Sequence, residues 1–459
     1  MDWDEFETYA RDIASWSANY HRMLSDRPVR AQTAPGDIAG KIPDHPPETG
    51  QDMAQILADF EEIVMPGMTH WQHPRFFAYF PANAAPPSIL AELLVTAMAA
   101  QCMLWQTSPA ATELEGRMVD WMAQALGLDG MTGVIQDSAS SATLSAVLTM
   151  RERATGYTGN RDGLSQKGAL RIYCSEECHS SIDRAVWVAG IGQANLVKIP
   201  TKGPTYAMDT EALAAAISAD RDQGHIPAGI IAITGGTGIG ACDDLPAIAT
   251  LAAKEDLYTH LDAAWAGSAM IADDLREPIW RGAERFDSVV MNPHKWLGAQ
   301  FDCSLQFLRD PVPQLNTLKI EPEYLKTSAS VTNYSEWTIP LGRRFRALKL
   351  WFLLRSYGLE DLRQRMRNHC LWARMACDAL RRGGFEIITE PQLSIFTFRR
   401  DGDDDAQQEL VDRINNDGRI YLTQGAFRGR KVIRFQVGQF HTTEEDVSLA
   451  VRVIEELAT

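Results

Sequence analysis

One lysine lies where nucleophilic chemistry is plausible. Lys295 follows the apolar run 288–291 and an Asn-Pro-His turn, and the large aromatic Trp296 comes directly after it. Most lysines are solvated surface charges, which is the alternative here. A lysine held inside a pocket behaves differently, because desolvation lowers the pKa of its amine and makes it a nucleophile toward aldehydes.

A carboxylate stands one structural unit earlier. Asp262 closes the apolar run 257–261 and precedes the small residues Ala263 and Ala264. At a strand end it could cap a helix, or it could keep a pyridine nitrogen protonated and make that ring an electron sink. Lys295 follows 33 residues later, about one βαβ unit, so both side chains should emerge at the same sheet edge. The pair predicts pyridoxal phosphate (PLP), with the lysine bound at its aldehyde and the carboxylate beside its pyridine nitrogen.

Two further stretches complete the predicted cofactor site. Residues 136–142 place hydroxyl side chains at the start of a predicted helix, where free N–H groups form an anion site. His179 follows a Cys-x3-Cys spacing that could suggest a metal, but the chain has no second half of a zinc site. We therefore predict no metal, and an imidazole packed on the cofactor ring; a plain helix cap is the alternative for His179.

The elements that must position these residues alternate along the chain. From about 86 to 340, helical stretches interleave with strand-like runs, which indicates βαβ units, a mainly parallel sheet and ligands beyond the strands' carboxyl ends. The predicted strands are 169–174, 195–199, 229–233, 257–261, 288–291 and 303–307. A helix and a proline-rich arm come before this region, and a smaller α/β unit follows it. The predicted domains are an N-terminal helical and extended dimerisation segment, 1–85, a PLP-binding domain, 86–346, and a C-terminal domain, 347–459.

Composition limits the partners. Lysine and arginine number 44 against 60 aspartates and glutamates, a net charge of -16, which disfavours nucleic acid and anionic membrane surfaces. Seven cysteines without a CxxC pair, and an acidic start without a basic leader, predict reduced thiols in a cytoplasmic protein. The most apolar stretch, 89–105, is too short to span a bilayer, which needs roughly 20 residues.

Longer motifs then occur in a fixed order. They are His73-Pro-Arg-Phe-Phe-Ala-Tyr-Phe-Pro81, Ser108-Pro-Ala-Ala-Thr-Glu-Leu-Glu115, Gly133-Val-Ile-Gln-Asp-Ser-Ala-Ser140, Asp262-Ala-Ala-Trp-Ala-Gly-Ser268, Asn292-Pro-His-Lys-Trp296 and Pro340-Leu-Gly-Arg-Arg-Phe-Arg346. Through nearly its whole length the chain resembles the group II PLP-dependent decarboxylases, and within them it is most similar to aromatic-L-amino-acid decarboxylases.

The resemblance implies an α/β fold of the PLP-dependent transferase type I, with a mainly parallel seven-stranded sheet, and a homodimer with active sites at the interface. Lys295 would bind the aldehyde of PLP, Asp262 would pair with the pyridine nitrogen, and His179 and Ala264 would pack on the two ring faces. Tyr324, in Glu321-Pro-Glu-Tyr-Leu-Lys326, would donate a proton to the reacting carbon. The phosphate would be held by Ala139, Ser140, Asn292 and His294, and Thr237 would line the pocket.

The resemblance also implies a substrate pocket, with departures from the family pattern. The matching positions are Trp71, Tyr79, Phe80, Pro81, Ala82, Met103 and Gly342. Ala82 replaces a hydroxyl residue common in animal members, Met103 replaces an aromatic contributed by the partner subunit, and Gly342 leaves room for a bulky ring. His294 differs from the serine at this position in histidine decarboxylases.

The predicted function is therefore decarboxylation of an aromatic L-amino acid (tryptophan, DOPA, tyrosine or phenylalanine) to the amine and carbon dioxide. One alternative is a related PLP reaction, either oxidative formation of an aldehyde or decarboxylation of a non-aromatic amino acid. Tyr324 and His179 argue against aldehyde formation, since aldehyde-forming relatives tend to alter one of them. Another alternative is an inactive homologue that acts as a scaffold.

Overall fold

The computed structural model describes residues 1–277, 279–320 and 331–458. Within them the chain forms two compact units. The first unit contains residues 1–81, 372–390 and 396–459, and the second contains residues 82–371 and 391–395. The predicted domain boundaries at 85 and 346 stay a prediction.

The second unit is built on a seven-stranded sheet. Its strands are β1 (Thr132–Gln136), β2 (Leu170–Ser175), β3 (Leu196–Ile199), β6 (Ile226–Ile233), β7 (Tyr258–Asp262), β8 (Ser288–Met291) and β9 (Ser304–Leu308). The two short strands β4 (Thr201–Lys202) and β5 (Ala207–Met208) pair separately. The order across the large sheet is β1-β9-β8-β7-β6-β2-β3. Five strands from β8 to β3 are mutually parallel, whereas β9 is antiparallel to both of its neighbours.

Helices connect these strands, as alternation of the two element types requires. They are α3 (Pro86–Met98), α4 (Pro109–Ala125), α5 (Ala139–Ala154), α6 (Gly159–Asp162), α7 (Ser180–Val188), α8 (Thr210–Asp222), α9 (Leu245–Glu255), α10 (Asp273–Arg276) and α11 (Val312–Leu318). A long helix, α12 (Ala347–Arg382), is interrupted at Gly358, whose φ is +69°. Helix α5 packs against β6, β7 and β8, and its apolar side chains Val147 and Met150 are fully buried in the core of this unit.

The predicted α/β class and the mainly parallel seven-stranded sheet are confirmed. All six strands predicted from apolar runs are present, with ends shifted by a few residues. Within the large sheet, the strand that local pattern did not reveal is β1. It is short, Thr-Gly-Val-Ile-Gln, and pairs with β9, which is distant in sequence. Gly133 approaches Gln306 so closely that a Cβ on it would lie 2.2 Å from the Gln306 carbonyl oxygen. This strand is therefore defined by its tertiary contact with β9 more than by the β propensity of its residues.

The first unit combines helices from both chain ends with a second sheet. Its helices are α1 (Trp3–Arg22), α2 (Met53–Asp59), α13 (Asp404–Asp417) and α14 (Glu444–Ala458). Its strands, β10 (Glu386–Gln392), β11 (Ile395–Arg399), β12 (Thr423–Phe427) and β13 (Arg430–Gln436), lie in the order β10-β11-β13-β12, with the turn at 391–395 assigned to the second unit. Phe77, Phe396 and Phe435 are fully buried in the core of the first unit.

The length and hydropathy of a helix decide whether it could span a membrane, and this holds for the helices of both units. Across residues 1–277, 279–320 and 331–458, none of them combines the length and the apolar character that crossing a bilayer demands.

Candidate active site

A pocket opens at the carboxyl edge of the large sheet. All nine predicted cofactor-binding residues line it: Ala139, Ser140, His179, Thr237, Asp262, Ala264, Asn292, His294 and Lys295. The other lining residues are Ser138, Ser181, Ile233, Gly235, Gly236 and Trp265. Ligands in parallel α/β sheets bind at this edge, because strand ends and helix starts leave a crevice there.

Lys295 lies in a tight turn immediately after β8. The turn Pro293–Leu297 is π-helical, and Lys295 itself departs from helical geometry, with φ -91° and ψ -113°. Two contacts hold this backbone. The Asn83 side-chain amide donates to the Lys295 carbonyl at 2.7 Å, and the indole N–H of buried Trp296 donates to His369 Nδ1 at 2.8 Å. These contacts therefore fix the turn from which the Lys295 side chain extends.

Asp262 is placed by strand register. It ends β7, where it pairs with Ile233 of β6 and Val290 of β8, so three strand ends meet at the pocket. Its carboxylate accepts a hydrogen bond from the Ala264 N–H at 3.0 Å. Burial lowers the pKa of the Lys295 amine, and the negative charge of Asp262 acts in the opposite direction. A lowered pKa increases the fraction of neutral, nucleophilic amine.

The same pocket contains groups that can bind an anion. Helix α5 begins here, capped by the Ser138 hydroxyl, which accepts from the Ser141 N–H at 3.2 Å. His294 Nδ1 accepts from the Cys303 N–H at 2.9 Å, so Nε2 carries the proton of the neutral ring. Burial lowers the pKa of His294 to about 3 and keeps it neutral. Asn292 Oδ1 accepts from the Ser304 hydroxyl at 2.5 Å, which orients its NH2 group as a donor.

His179 occupies the helix-cap position that was the alternative interpretation of the sequence, and its packing on a cofactor ring stays a prediction. It is the N-cap of α7, where Nδ1 accepts from the Ser181 N–H at 3.2 Å, and it also lines the pocket. Burial lowers the pKa of His179, although Asp262 raises it. With Nδ1 accepting, the neutral ring carries its proton on Nε2.

Two consecutive glycines after β6, Gly235 and Gly236, form part of the pocket wall. Gly235 has φ +83°, and a Cβ there would lie 2.5 Å from the Ala266 Cβ. The backbone can therefore follow this path only without a side chain. Sequence reasoning did not single out Gly235 and Gly236, although a double glycine directly after a predicted strand is a signal for close backbone approach. Asn83 carried no local signal, because its contact with Lys295 spans 212 residues.

Three of the predicted substrate residues belong to the second unit. Ala82, Met103 and Gly342 are not among the residues that line this pocket. Met103 and Gly342 belong to two segments that run together, since the Ser335 N–H donates to the Met103 carbonyl at 3.1 Å and the Arg343 N–H donates to the Gln101 side chain at 2.7 Å. A Cβ at Gly342 would lie 3.2 Å from the Gln101 amide nitrogen.

The other predicted substrate residues belong to the first unit. Trp71 and Tyr79 stack with ring centroids 5.8 Å apart and remain 40% and 46% exposed. Phe80 is buried against Gly438, and Pro81 is buried at the end of this segment. Tyr324 lies outside the described residues.

The donor set of the pocket fits PLP. A buried amine, a carboxylate beyond it, a neutral imidazole and a helix start with hydroxyl groups match an aldehyde, a pyridine nitrogen, an aromatic face and a phosphate. Within the part of the chain that the structure describes, no group of three or more His, Cys, Asp or Glu side chains is arranged to hold a metal ion.

Comparison with known proteins agrees with this chemistry. The family model described as the pyridoxal-dependent decarboxylase conserved domain matches residues 35–401. The chain belongs to this decarboxylase family. It is accordingly a PLP-dependent enzyme of amino acid decarboxylation, and PLP is its cofactor.

Relatives of this decarboxylase include more than one activity. Phenylacetaldehyde synthase of Arabidopsis thaliana is 36% identical, covering 100% of this chain and 97% of that protein. Tryptophan decarboxylase 2 of Oryza sativa subsp. japonica is 35% identical, covering 100% and 95%. Aromatic-L-amino-acid decarboxylase of Cavia porcellus is also 35% identical, covering 100% and 98%.

Solved structures of the decarboxylase family superimpose over the full chain. Oryza sativa TDC with PLP and tryptamine has a TM-score of 0.96 at 32% identity, covering 100% of this chain and 98% of that one. Rhodiola rosea 4-hydroxyphenylacetaldehyde synthase has a TM-score of 0.92, also at 32% identity, with the same coverage. The backbone alone therefore does not separate amine-forming from aldehyde-forming members.

Proposed function

We propose that this enzyme decarboxylates aromatic L-amino acids to the corresponding amines. The convergence of Lys295 and Asp262 in one pocket, beside the neutral His179, is the observation that carries the proposal. Tryptophan and aromatic-L-amino-acid decarboxylases among its relatives favour an aromatic substrate. Retention of His179 and Tyr324 favours amine over aldehyde, since aldehyde-forming relatives tend to alter one of them.

The two ends of the cofactor would be held by Lys295 and Asp262. Lys295, with its lowered pKa, would present a neutral amine to the aldehyde, and Asp262 would keep a proton on the pyridine nitrogen. When bound, PLP supplies a ring that accepts the electron pair released as carbon dioxide departs. Asp262 is therefore the residue that would keep the cofactor ring electron-withdrawing.

The remaining lining residues would orient the ring and its phosphate. Ala139 and Ser140 bring the N–H groups of the α5 start, while Asn292 and His294 contribute side-chain donors. His179 would pack on one ring face as a neutral imidazole, so it would add no second positive charge beside the protonated nitrogen. Ala264 leaves space on the other face, and Thr237 lines the pocket wall.

The substrate side rests on the family resemblance. Tyr324 would donate the proton that completes the amine, and Trp71, Tyr79, Phe80, Pro81, Ala82, Met103 and Gly342 would contact the amino acid. Gly342 would accommodate a bulky aromatic ring. The exposed aromatic stack of Trp71 and Tyr79 is suited to pack on such a ring.

The homodimer is part of the same proposal. Helix α3 exposes Leu90, Leu93, Leu94 and Met98 to between 49% and 58% of their surface. An apolar row of this kind on one helix is typical of an interface rather than of a solvated face. The active sites would then include residues of both subunits.

The test is a turnover assay with the PLP-loaded protein. Tryptophan, DOPA, tyrosine and phenylalanine are supplied beside a panel of non-aromatic amino acids, and carbon dioxide, amine, aldehyde and hydrogen peroxide are quantified. We expect amine equal to carbon dioxide with at least one aromatic substrate. Turnover restricted to non-aromatic substrates, or none at all, contradicts the proposal.

A second candidate activity is oxidative formation of an aldehyde. It is favoured by the 36% identity to phenylacetaldehyde synthase over the whole chain. The same assay separates the two, because aldehyde and peroxide in amounts equal to carbon dioxide identify this activity.

A further inference from the structure

Two cysteines and a lysine lie in contact next to His179, the histidine that lines the pocket. Cys174 of β2 and Lys198 of β3 are register partners in adjacent parallel strands, so their side chains lie on the same face of the sheet. The turn after β2 brings Cys178 back to this pair. The two sulfur atoms are 3.5 Å apart, and Lys198 Nζ donates to Cys178 Sγ at 2.9 Å and to Asp183 at 3.0 Å.

The two thiols have unequal environments. The hydrogen bond from Cys174 and, against the effect of burial, the ammonium of Lys198 lower the pKa of the Cys178 thiol. The same thiol pair and burial raise the pKa of Cys174. Cys178 is half-buried, whereas Cys174 is buried. This asymmetry assigns Cys178 as the thiolate that reacts first and Cys174 as the thiol that follows it.

We propose that Cys174 and Cys178 form a peroxide-sensitive dithiol that closes to a disulfide and displaces His179. The Cys178 thiolate attacks one oxygen of hydrogen peroxide. The O–O bond breaks, so that the sulfur becomes a sulfenic acid and hydroxide is released. The Cys174 thiol then attacks that sulfur, and water leaves. In sum, two thiols and one peroxide become one disulfide and two waters, so that sulfur is oxidised and peroxide reduced.

The displacement follows from chain connectivity. A disulfide requires the sulfur atoms to approach to about 2.05 Å, about 1.5 Å closer than they stand here. Cys178 directly precedes His179, whose ring is held by the start of α7 through Ser181. We expect the short turn between β2 and α7, which carries His179, to take up part of this movement. This link rests on the proposed position of His179 beside the cofactor.

The experiment uses the PLP-loaded full chain. It is treated with hydrogen peroxide, and the Cys174–Cys178 linkage is measured by mass spectrometry of peptides, alongside the absorption spectrum of bound PLP. We expect a disulfide between these two residues, a change in the cofactor spectrum, and reversal of both by dithiothreitol. In Cys174→Ser, dimedone should capture sulfenic acid on Cys178.

A matched pair of variants tests the role of the lysine. Lys198→Met should slow alkylation of Cys178 at pH 7 by several-fold, since the thiolate fraction changes about tenfold per unit of pKa. Lys202→Met, which removes an exposed lysine paired with Asp209, should leave that rate unchanged.

Absence of the disulfide, together with an unchanged alkylation rate in Lys198→Met, overturns the proposal. A disulfide that leaves the cofactor spectrum unaltered overturns the link to His179. Neither readout needs a substrate, so failure of the aromatic-substrate proposal would be seen separately.

Discussion

Chemistry at Asp262 depends on a single charge held near a strand end. Replacing it with asparagine keeps size and hydrogen bonding but removes that charge. We expect Asp262→Asn to lower kcat about a thousandfold, equivalent to about 4 kcal/mol at ~1.4 kcal/mol per decade, because the ring loses its electron-withdrawing proton. Steady-state kinetics and the cofactor spectrum measure the effect. Asp273→Asn, an exposed acid at the start of α10, is the control.

We propose Tyr324 as the proton donor to the carbon that loses its carboxylate. Without a proton donor, that electron-rich carbon lasts longer and becomes available to oxygen. Tyr324→Phe should lower amine formation by about a hundredfold, within the range for loss of a general acid, and yield aldehyde with peroxide. Product analysis distinguishes the outcomes, with the half-exposed Tyr157→Phe as a control. Unchanged amine formation would remove Tyr324 from this role.

At the scale of the elements, α5, β7 and β8 meet at one buried histidine. His260 of β7 lies 3.1 Å from the Thr143 hydroxyl of α5 through Nε2, and 3.0 Å from the Ser288 hydroxyl of β8 through Nδ1. Burial lowers the pKa of His260 to about 4, so the folded protein keeps it neutral. A neutral ring suits this position, because hydroxyl groups can complement both of its nitrogens.

This histidine predicts a pH dependence of stability. Between pH 6.5 and about 4 the unfolded chain binds a proton that the folded chain does not, so the stability present above pH 6.5 is lost as pH falls. The slope is about 1.4 kcal/mol per pH unit for one such group. His260→Gln should reduce the dependence of the free energy of unfolding on pH by about that amount. Urea titrations at several pH values between 4 and 6.5 measure this dependence. His45→Gln, which alters an exposed residue, should not.

The loop after β6 offers a steric test at the same scale. Gly235 and Gly203 both have positive φ, +83° and +74°, but only at Gly235 would a Cβ collide with neighbouring atoms. Both alanine variants incur backbone strain of about 1 kcal/mol, and Gly235→Ala adds displacement of the pocket wall. We expect Gly235→Ala to weaken PLP binding at least tenfold, measured by cofactor titration, while Gly203→Ala leaves it unchanged. Equal affinities would contradict this account.

At the scale of the whole molecule, the exposed row on α3 predicts self-association. Leu90→Asp combined with Leu94→Asp places charges on this row, and desolvating them would oppose an interface. We expect the variant to sediment as a monomer and to lose most of its activity, whereas the parent sediments as a dimer. Val188→Asp, at an equally exposed apolar residue of α7, should remain dimeric. A monomeric parent would refute the dimer.

The sequence by itself determined the cofactor and the class of fold. Strand-like runs that end in Asp262 and just before Lys295 place both side chains at one edge of a parallel sheet, because parallel strands share their carboxyl edge. Ordered motifs around these residues pointed to the family, which comparison confirmed over residues 35–401. These signals are local in sequence, and local patterns are what a single chain displays.

Only the tertiary structure decided which residues brace that chemistry. Asn83 holds the Lys295 backbone across 212 positions, β1 exists through its pairing with β9, and Cys174 meets Lys198 through the register of β2 and β3. None of these contacts leaves a periodic trace, because each joins segments that are distant in sequence. The fold makes them neighbours, and proximity then sets the pKa values and the backbone path on which the site depends.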